Sequence, residues 1–108
     1  MDTRLTQLFD TIVARRGADP ASSYTASLFA KGREKIAQKI GEEGVETALA
    51  AVSGDKTAIT KESADLIYHL CVLWADAGLT LEDVMAELEH REGVSGLDEK
   101  AERRGIAS

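Results

Sequence analysis

Two helical stretches joined by a dipeptide constrain this chain more than any other feature. From Arg33 to Ser53 the residues keep a helical pattern; Gly54 stops it, and Asp55, a good N-cap, starts another that runs from Lys56 to about Ala77. So short a junction leaves the second helix no course but back along the first, which predicts an antiparallel hairpin. The remaining segments are shorter. Leu5, Leu8, Phe9, Ile12 and Val13 mark one helical face ended by "RRG". "GADPASS" is a loop, and a short helical turn is expected over residues 25–31. "TLED" reads as a capping box in which Thr80 and Asp83 open a helix from Leu81 to about His90. Residues 91–108 read as a tail with a loop and a short or frayed helix. The expected fold is all-α, with the hairpin at the centre of a four-helix-bundle-like core, and residues 1–108 as one domain: 108 residues suffice for one modest core.

The hairpin carries acids where an amphipathic helix ordinarily places apolar side chains. Advancing about 100° per residue with Glu42 at zero, Glu46 falls at about 40° and Glu43 at about 100°, with Lys35 and Lys39 between them. Ile36 and Ile40 border this charged stripe on one side and Val45, Leu49 and Val52 on the other, so the stripe is expected to point toward a neighbour. The small residues Ala37, Gly41, Gly44 and Ala48 lie opposite and suit close packing against a helix or subunit. On the second helix Glu62, Asp65 and His69 share an arc of about 60° beside Leu66, Leu70 and Leu73.

Counting outward from the junction puts these acids in register. Glu46 lies eight residues before Gly54 and Glu62 seven after Asp55, while Glu43 lies eleven before and Asp65 ten after. Lys39 and His69 match one turn further along. With helix axes about 8–10 Å apart, four carboxylates can converge in the groove. Without a cation they would raise one another's pKa or push the helices apart. Oxygen donors favour Mg²⁺, Mn²⁺ or Ca²⁺ over zinc, and the nearby Lys35 and Lys39 suit a metal-bound polyphosphate.

Other residues admit plainer readings. An E-E-x-x-E run alone is most often a solvated face, His69 a packed histidine and His90 a partner for a helix C-terminus. Cys71 and Trp74 read as core or interface. Ser23, Tyr24 and Thr25 could meet a ligand or cap a turn, and Lys100, Arg103 and Arg104 could meet a phosphate or simply face water. A net charge of −6 argues against nucleic-acid binding. No segment resembles a signal peptide or a membrane span. The single cysteine excludes an internal disulfide and a multi-cysteine zinc site. A cytoplasmic protein is expected.

Taken in order, "SYTASLFAKG", "KIAQKIGEEGVETALAA", "KESADLIYHLCVLW" and "GLTLEDVMAELEHR" resemble the phosphoribosyl-ATP pyrophosphatase family of histidine biosynthesis, within the all-α nucleotide pyrophosphohydrolases. The resemblance implies Mg²⁺-dependent hydrolysis of phosphoribosyl-ATP between the α and β phosphates. It implies Glu43, Glu46, Glu62 and Asp65 as metal ligands, and Glu42 as an auxiliary ligand or the group that orients or deprotonates water. Lys39, Lys35 and Lys31 would neutralise the triphosphate, and the "SYT" stretch, with Tyr24 and Thr25, would belong to substrate binding. It further implies a homodimer, and no fused cyclohydrolase in a chain of this length and cysteine content. Gly44 departs from the alanine common there, at about 1 kcal/mol of helix propensity. Two rivals stand beside this reading: a house-cleaning nucleoside triphosphate pyrophosphohydrolase, and a non-enzymatic, metal-binding helical dimerisation module.

Overall fold

The computed structural model describes residues 3–93, which form five helices and no strand. In chain order they are α1 (Arg4–Ala14), α2 (Tyr24–Lys31), α3 (Arg33–Ser53), α4 (Lys56–Asp76) and α5 (Leu81–Glu92). The expected tail beyond residue 93, with Lys100, Arg103 and Arg104, lies outside the described residues. Among the described residues no single helix is long and apolar enough to cross a membrane.

The hairpin forms as its junction requires. Gly54 adopts a left-handed φ of 76°, which an L side chain would resist, and its N–H bonds back to the carbonyls of Ala50 and Ala51. Asp55 then accepts hydrogen bonds from the N–H groups of Thr57 and Ala58 at 3.0 and 3.3 Å, and α4 begins. The far end of the hairpin is clasped separately. Arg33, at the start of α3, donates to the side chain and carbonyl of Asp76, the last residue of α4. Arg16 donates to the carbonyl of Ala75 at 2.8 Å while stacking over the ring of Phe29. Both arginines therefore sit where the carbonyls of a helix C-terminus attract cations.

Helix α4 is the axis of the molecule, packed against α1, α2 and α3. The core consists of Phe9 and Ile12 from α1, Leu28 from α2, Ile36 from α3, Cys71, Val72 and Ala75 from α4, and Leu81 from α5. Burial raises the Cys71 thiol above its ordinary value and keeps it a small apolar filler. Helix α5 leaves α4 at a bend of 114°. Its capping box is present: Thr80 Oγ1 accepts from the Asp83 N–H and Asp83 Oδ2 accepts from the Thr80 N–H.

The short helical turn expected over residues 25–31 is present as α2, with one residue more at its start, where Ser23 caps it by accepting from the Ala26 N–H. Among the described residues no helix packs closely on the small face of α3: Ala37, Gly41 and Ala48 are exposed, and a Cβ added at Gly41 or Gly44 would meet none of those residues within 4 Å.

Replacing Asp55 by Ala should destabilise the protein by about 1 kcal/mol, read as a lower urea midpoint at unchanged slope, whereas Asp55→Asn should stay within a few tenths. Equal losses from both substitutions would mean that charge, rather than capping, matters at this junction.

Candidate active site

The buried direction of α3 runs through Ile36, Glu43 and Ala50. Since those residues recur every seventh position, one face points at the rest of the chain, and Glu43 is its only acid. Glu43 is 8% exposed. One oxygen each of Glu43, Glu62 and Asp65 lie within 4.8 Å of one another across the α3–α4 groove. Glu46, more exposed, lies beside them and raises the carboxyls of both Glu43 and Glu62. The four acids that the residue count set at matching heights are thus neighbours.

Glu42 behaves differently. One residue earlier on α3, it turns to the surface, where its oxygens accept hydrogen bonds from Gln38 Nε2 at 2.9 Å and Lys39 Nζ at 3.1 Å. These bonds, Gln38's first, hold the carboxyl below its ordinary value. The bond to Glu42, and then the nearby Tyr24 phenol, raise Lys39 in turn. The stripe expected on α3 therefore divides into an inward acid, Glu43, an acid at the groove's edge, Glu46, and an outward ion pair.

Burial raises the Glu43 carboxyl, and the charge of Glu46 adds to it; the proximity of Glu46 raises Glu62. Glu43 Oε2 and Glu62 Oε2 are buried and have no hydrogen-bond donor. Buried carboxylate oxygens without donors are costly in a folded protein. A hard divalent cation satisfies both and offsets the repulsion, so the donor set fits Mg²⁺ or Mn²⁺.

Thr47 is a neighbour of the acids that the charge pattern did not reveal. Its hydroxyl lies 2.7 Å from the carbonyl of Glu43, one turn back, and 3.3 Å from the carbonyl of Glu62 across the groove. It pins the two helices together at the acids themselves. The sequence signal was slight: a β-branched hydroxyl residue four positions after Glu43, on the inward face.

A second polar group lies between α2 and α4. The Tyr24 hydroxyl is 3.3 Å from His69 Nε2, and His69 Nδ1 is 2.8 Å from the carbonyl of Asp65. Thr25 and Tyr68 share a short hydrogen bond through their hydroxyls. The ring of His69, 5% exposed, meets those of Tyr24 and Tyr68 edge-on. The structure thus engages Thr25 with Tyr68, leaves Tyr24 half in solvent, places Lys35 within electrostatic reach of Glu42, and leaves Lys31 exposed at the end of α2.

The fold defines an all-α protein that gathers a carboxylate cluster inside a helical hairpin. Residues 5–92 match the family described as phosphoribosyl-ATP pyrophosphohydrolase. The chain is 60% identical to the phosphoribosyl-ATP pyrophosphatase of Rhizorhabdus wittichii over 103 residues, covering 95% of this chain and 97% of the relative. It is 59% identical over 100 residues to the protein of that name from Azospirillum brasilense, covering 93% and 90% of the two chains. With that of Gluconobacter oxydans it shares 54% identity over 99 residues, covering 92% and 74%. The chain belongs to the phosphoribosyl-ATP pyrophosphohydrolase family.

The raised carboxyls set a sign for stability. A group that holds its proton more tightly when folded stabilises the fold below the ordinary glutamate value of 4.5 and loses that contribution as pH rises through its raised value. In EDTA, the thermal midpoint should therefore fall from pH 4.5 upward, and Glu43→Gln should raise it at pH 8. With saturating Mg²⁺ the order should reverse, because the glutamine has lost a charged ligand. A Glu43→Gln protein less stable than wild type in EDTA at pH 8 would contradict this account of the cluster.

Proposed function

We propose that this protein hydrolyses phosphoribosyl-ATP to phosphoribosyl-AMP and diphosphate, the second step of histidine biosynthesis, in the cytoplasm. The observation that carries the reading is the convergence of Glu43, Glu62 and Asp65, with two buried oxygens lacking donors, in a chain of this family.

Glu43, Glu46, Glu62 and Asp65 would hold Mg²⁺, or Mn²⁺ in its place. When bound, the cation supplies charge neutralisation on the phosphate oxygens and Lewis-acid polarisation of the anhydride. The chain's own groups supply position. Lys39 lies at the rim of the cluster, with two of its three donors left for phosphate after its bond to Glu42. Lys35 and Lys31 extend positive charge away from it, and Tyr24 and Thr25 belong to the wall on the α2 side. Glu42, kept ionised by Gln38 and Lys39, orients the attacking water. Addition of that water across the α–β anhydride leaves one oxygen on the nucleotide's α phosphate and releases diphosphate. Most of the acceleration in such a site is electrostatic and positional.

A homodimer is part of the same reading. Val45, Leu49 and Val52 are 60, 66 and 88% exposed along one face of α3, at the spacing of an apolar stripe. Monomeric proteins seldom leave such a stripe in water. Because it borders Glu42 and Glu46, a second copy seated there would also close the open side of the acid cluster.

Diphosphate release from phosphoribosyl-ATP should require Mg²⁺ and stop in EDTA, while ordinary nucleotides are cut far more slowly. Equal release across a nucleotide panel would favour the house-cleaning activity, and no metal-dependent release would remove the enzymatic reading. Asp65→Asn should lower kcat by at least about 100-fold with the fold retained by circular dichroism. In sedimentation, Leu49→Asp should shift the protein toward monomer and lower activity with it; a wild-type chain that sediments as a monomer at all concentrations would exclude the dimer.

A further inference from the structure

His69 is buried and polar, and none of the chemistry above uses it. Its ring nitrogens are both engaged, and the partners determine which carries the proton. Nδ1 faces the carbonyl of Asp65 at 2.8 Å, a group that can only accept, so Nδ1 is the protonated nitrogen. In the neutral ring Nε2 then presents a lone pair, and the Tyr24 hydroxyl at 3.3 Å donates to it. A phenol has one proton. With that proton directed at His69, the Tyr24 oxygen offers only lone pairs to the site.

The placement gives this orientation a consequence. Asp65 is a member of the acid cluster, and Tyr24 is 53% exposed at the N-terminus of α2. The chain Asp65 carbonyl, His69, Tyr24 therefore runs from the cluster to its rim in two hydrogen bonds. A freely rotating phenol could donate to a phosphate oxygen; one held in this way repels it and accepts instead from a donor. We propose that His69 is a positioning residue for phosphoanhydride hydrolysis, which acts by fixing the Tyr24 hydroxyl as a hydrogen-bond acceptor at the mouth of the site. The donor it faces is either the ammonium of Lys39 as that group meets the phosphates or a sugar hydroxyl of the substrate. The electrostatic interaction of Tyr24 with Lys39 favours the first. The proposal rests on the activity proposed above.

Steady-state kinetics on the full chain with Mg²⁺ test it. Tyr24→Phe, which removes only a surface hydroxyl, and His69→Leu should each raise KM for phosphoribosyl-ATP about fivefold to tenfold and change kcat less than twofold. The double variant should be no worse than either single one, since both break the same link. His69→Gln, whose amide oxygen can reach the position of Nε2, should restore most of the affinity. Inhibition by inorganic triphosphate separates the donors: weakened by Tyr24→Phe if the oxygen serves Lys39, unchanged if it serves a sugar hydroxyl. Unchanged or tighter inhibition supports an acceptor; weakened inhibition supports one only if it disappears in a Lys39→Met background, and weakening that persists there shows a phenol that donates to phosphate and overturns the proposal.

A readout independent of turnover is the ¹⁵N spectrum of the two imidazoles in EDTA, assigned with a His90 substitution. His69 should appear as the Nδ1–H tautomer, and Tyr24→Phe should move its Nε2 signal while leaving Nδ1. The proposal is overturned by an Nε2–H tautomer, by an unchanged KM in Tyr24→Phe, or by losses that multiply in the double variant. If wild type releases no diphosphate, the activity itself fails and takes the positioning role with it; if wild type turns over and the variants do not behave as stated, only the role of His69 falls.

Discussion

Mutual repulsion among carboxylates drawn into one groove is the constraint on which the arrangement of the hairpin depends. Burial alone favours the neutral form of Glu43, and the charge of Glu46 works in the same direction. Such a cluster persists only where the backbone around it has little freedom to relax. Both ends of the hairpin are tied, by the Gly54–Asp55 junction at one and by Arg33 and Arg16 on the last turn of α4 at the other. Between them, the Thr47 hydroxyl meets the carbonyls of both Glu43 and Glu62. The core residues of α4, Cys71, Val72 and Ala75, follow the acids along the helix, so the cost of gathering the acids falls on a helix held by three neighbours. A divalent cation turns that cost into an affinity, because it meets carboxylates already close together instead of ordering them itself.

The groups around the cluster contribute position more than stability. The Lys39–Glu42 pair lies near solvent, where an ion pair contributes little to folding. Its effect is on position: Glu42 remains ionised and Lys39 remains at the rim. Helix α2 contributes on the other side through Tyr24 and Thr25, each hydrogen-bonded to α4. A helix of 8 residues has little stability of its own, so these tethers and the buried Leu28 determine where its first turn stands relative to the acids. The apolar stripe of Val45, Leu49 and Val52 adds a third boundary on the side that one chain leaves open.

Much of this was legible in the residues. The α3–α4 hairpin follows from Gly54 and Asp55, whose backbone preferences are local and strong. The capping box of α5 follows from Thr80 and Asp83 for the same reason. Convergence of Glu43 and Glu46 with Glu62 and Asp65 could be counted, because a junction of two residues leaves no slack in helical register. Helix α2 starts one residue earlier than expected, since its cap at Ser23 is one hydroxyl among several in "PASSYT". The small face of α3 suits close packing against a helix or a subunit, and among the described residues no helix covers Gly41.

By itself, then, the sequence determined the helices, their stops and the heights at which the acids stand, all properties of steps along one chain. Tertiary structure decided the rotation of those helices about their own axes. That rotation sends Glu43 into the groove and Glu42 into a surface pair with Lys39, although the two are adjacent residues in the same charged stripe. It also brings Thr47 against the carbonyl of Glu62, and sets His69 between Asp65 and Tyr24. The direction in which a helix turns inward is set by the summed burial of Ile36, Val72, Leu28 and their neighbours. No single residue's chemistry contains that sum, and it becomes definite only when the elements pack.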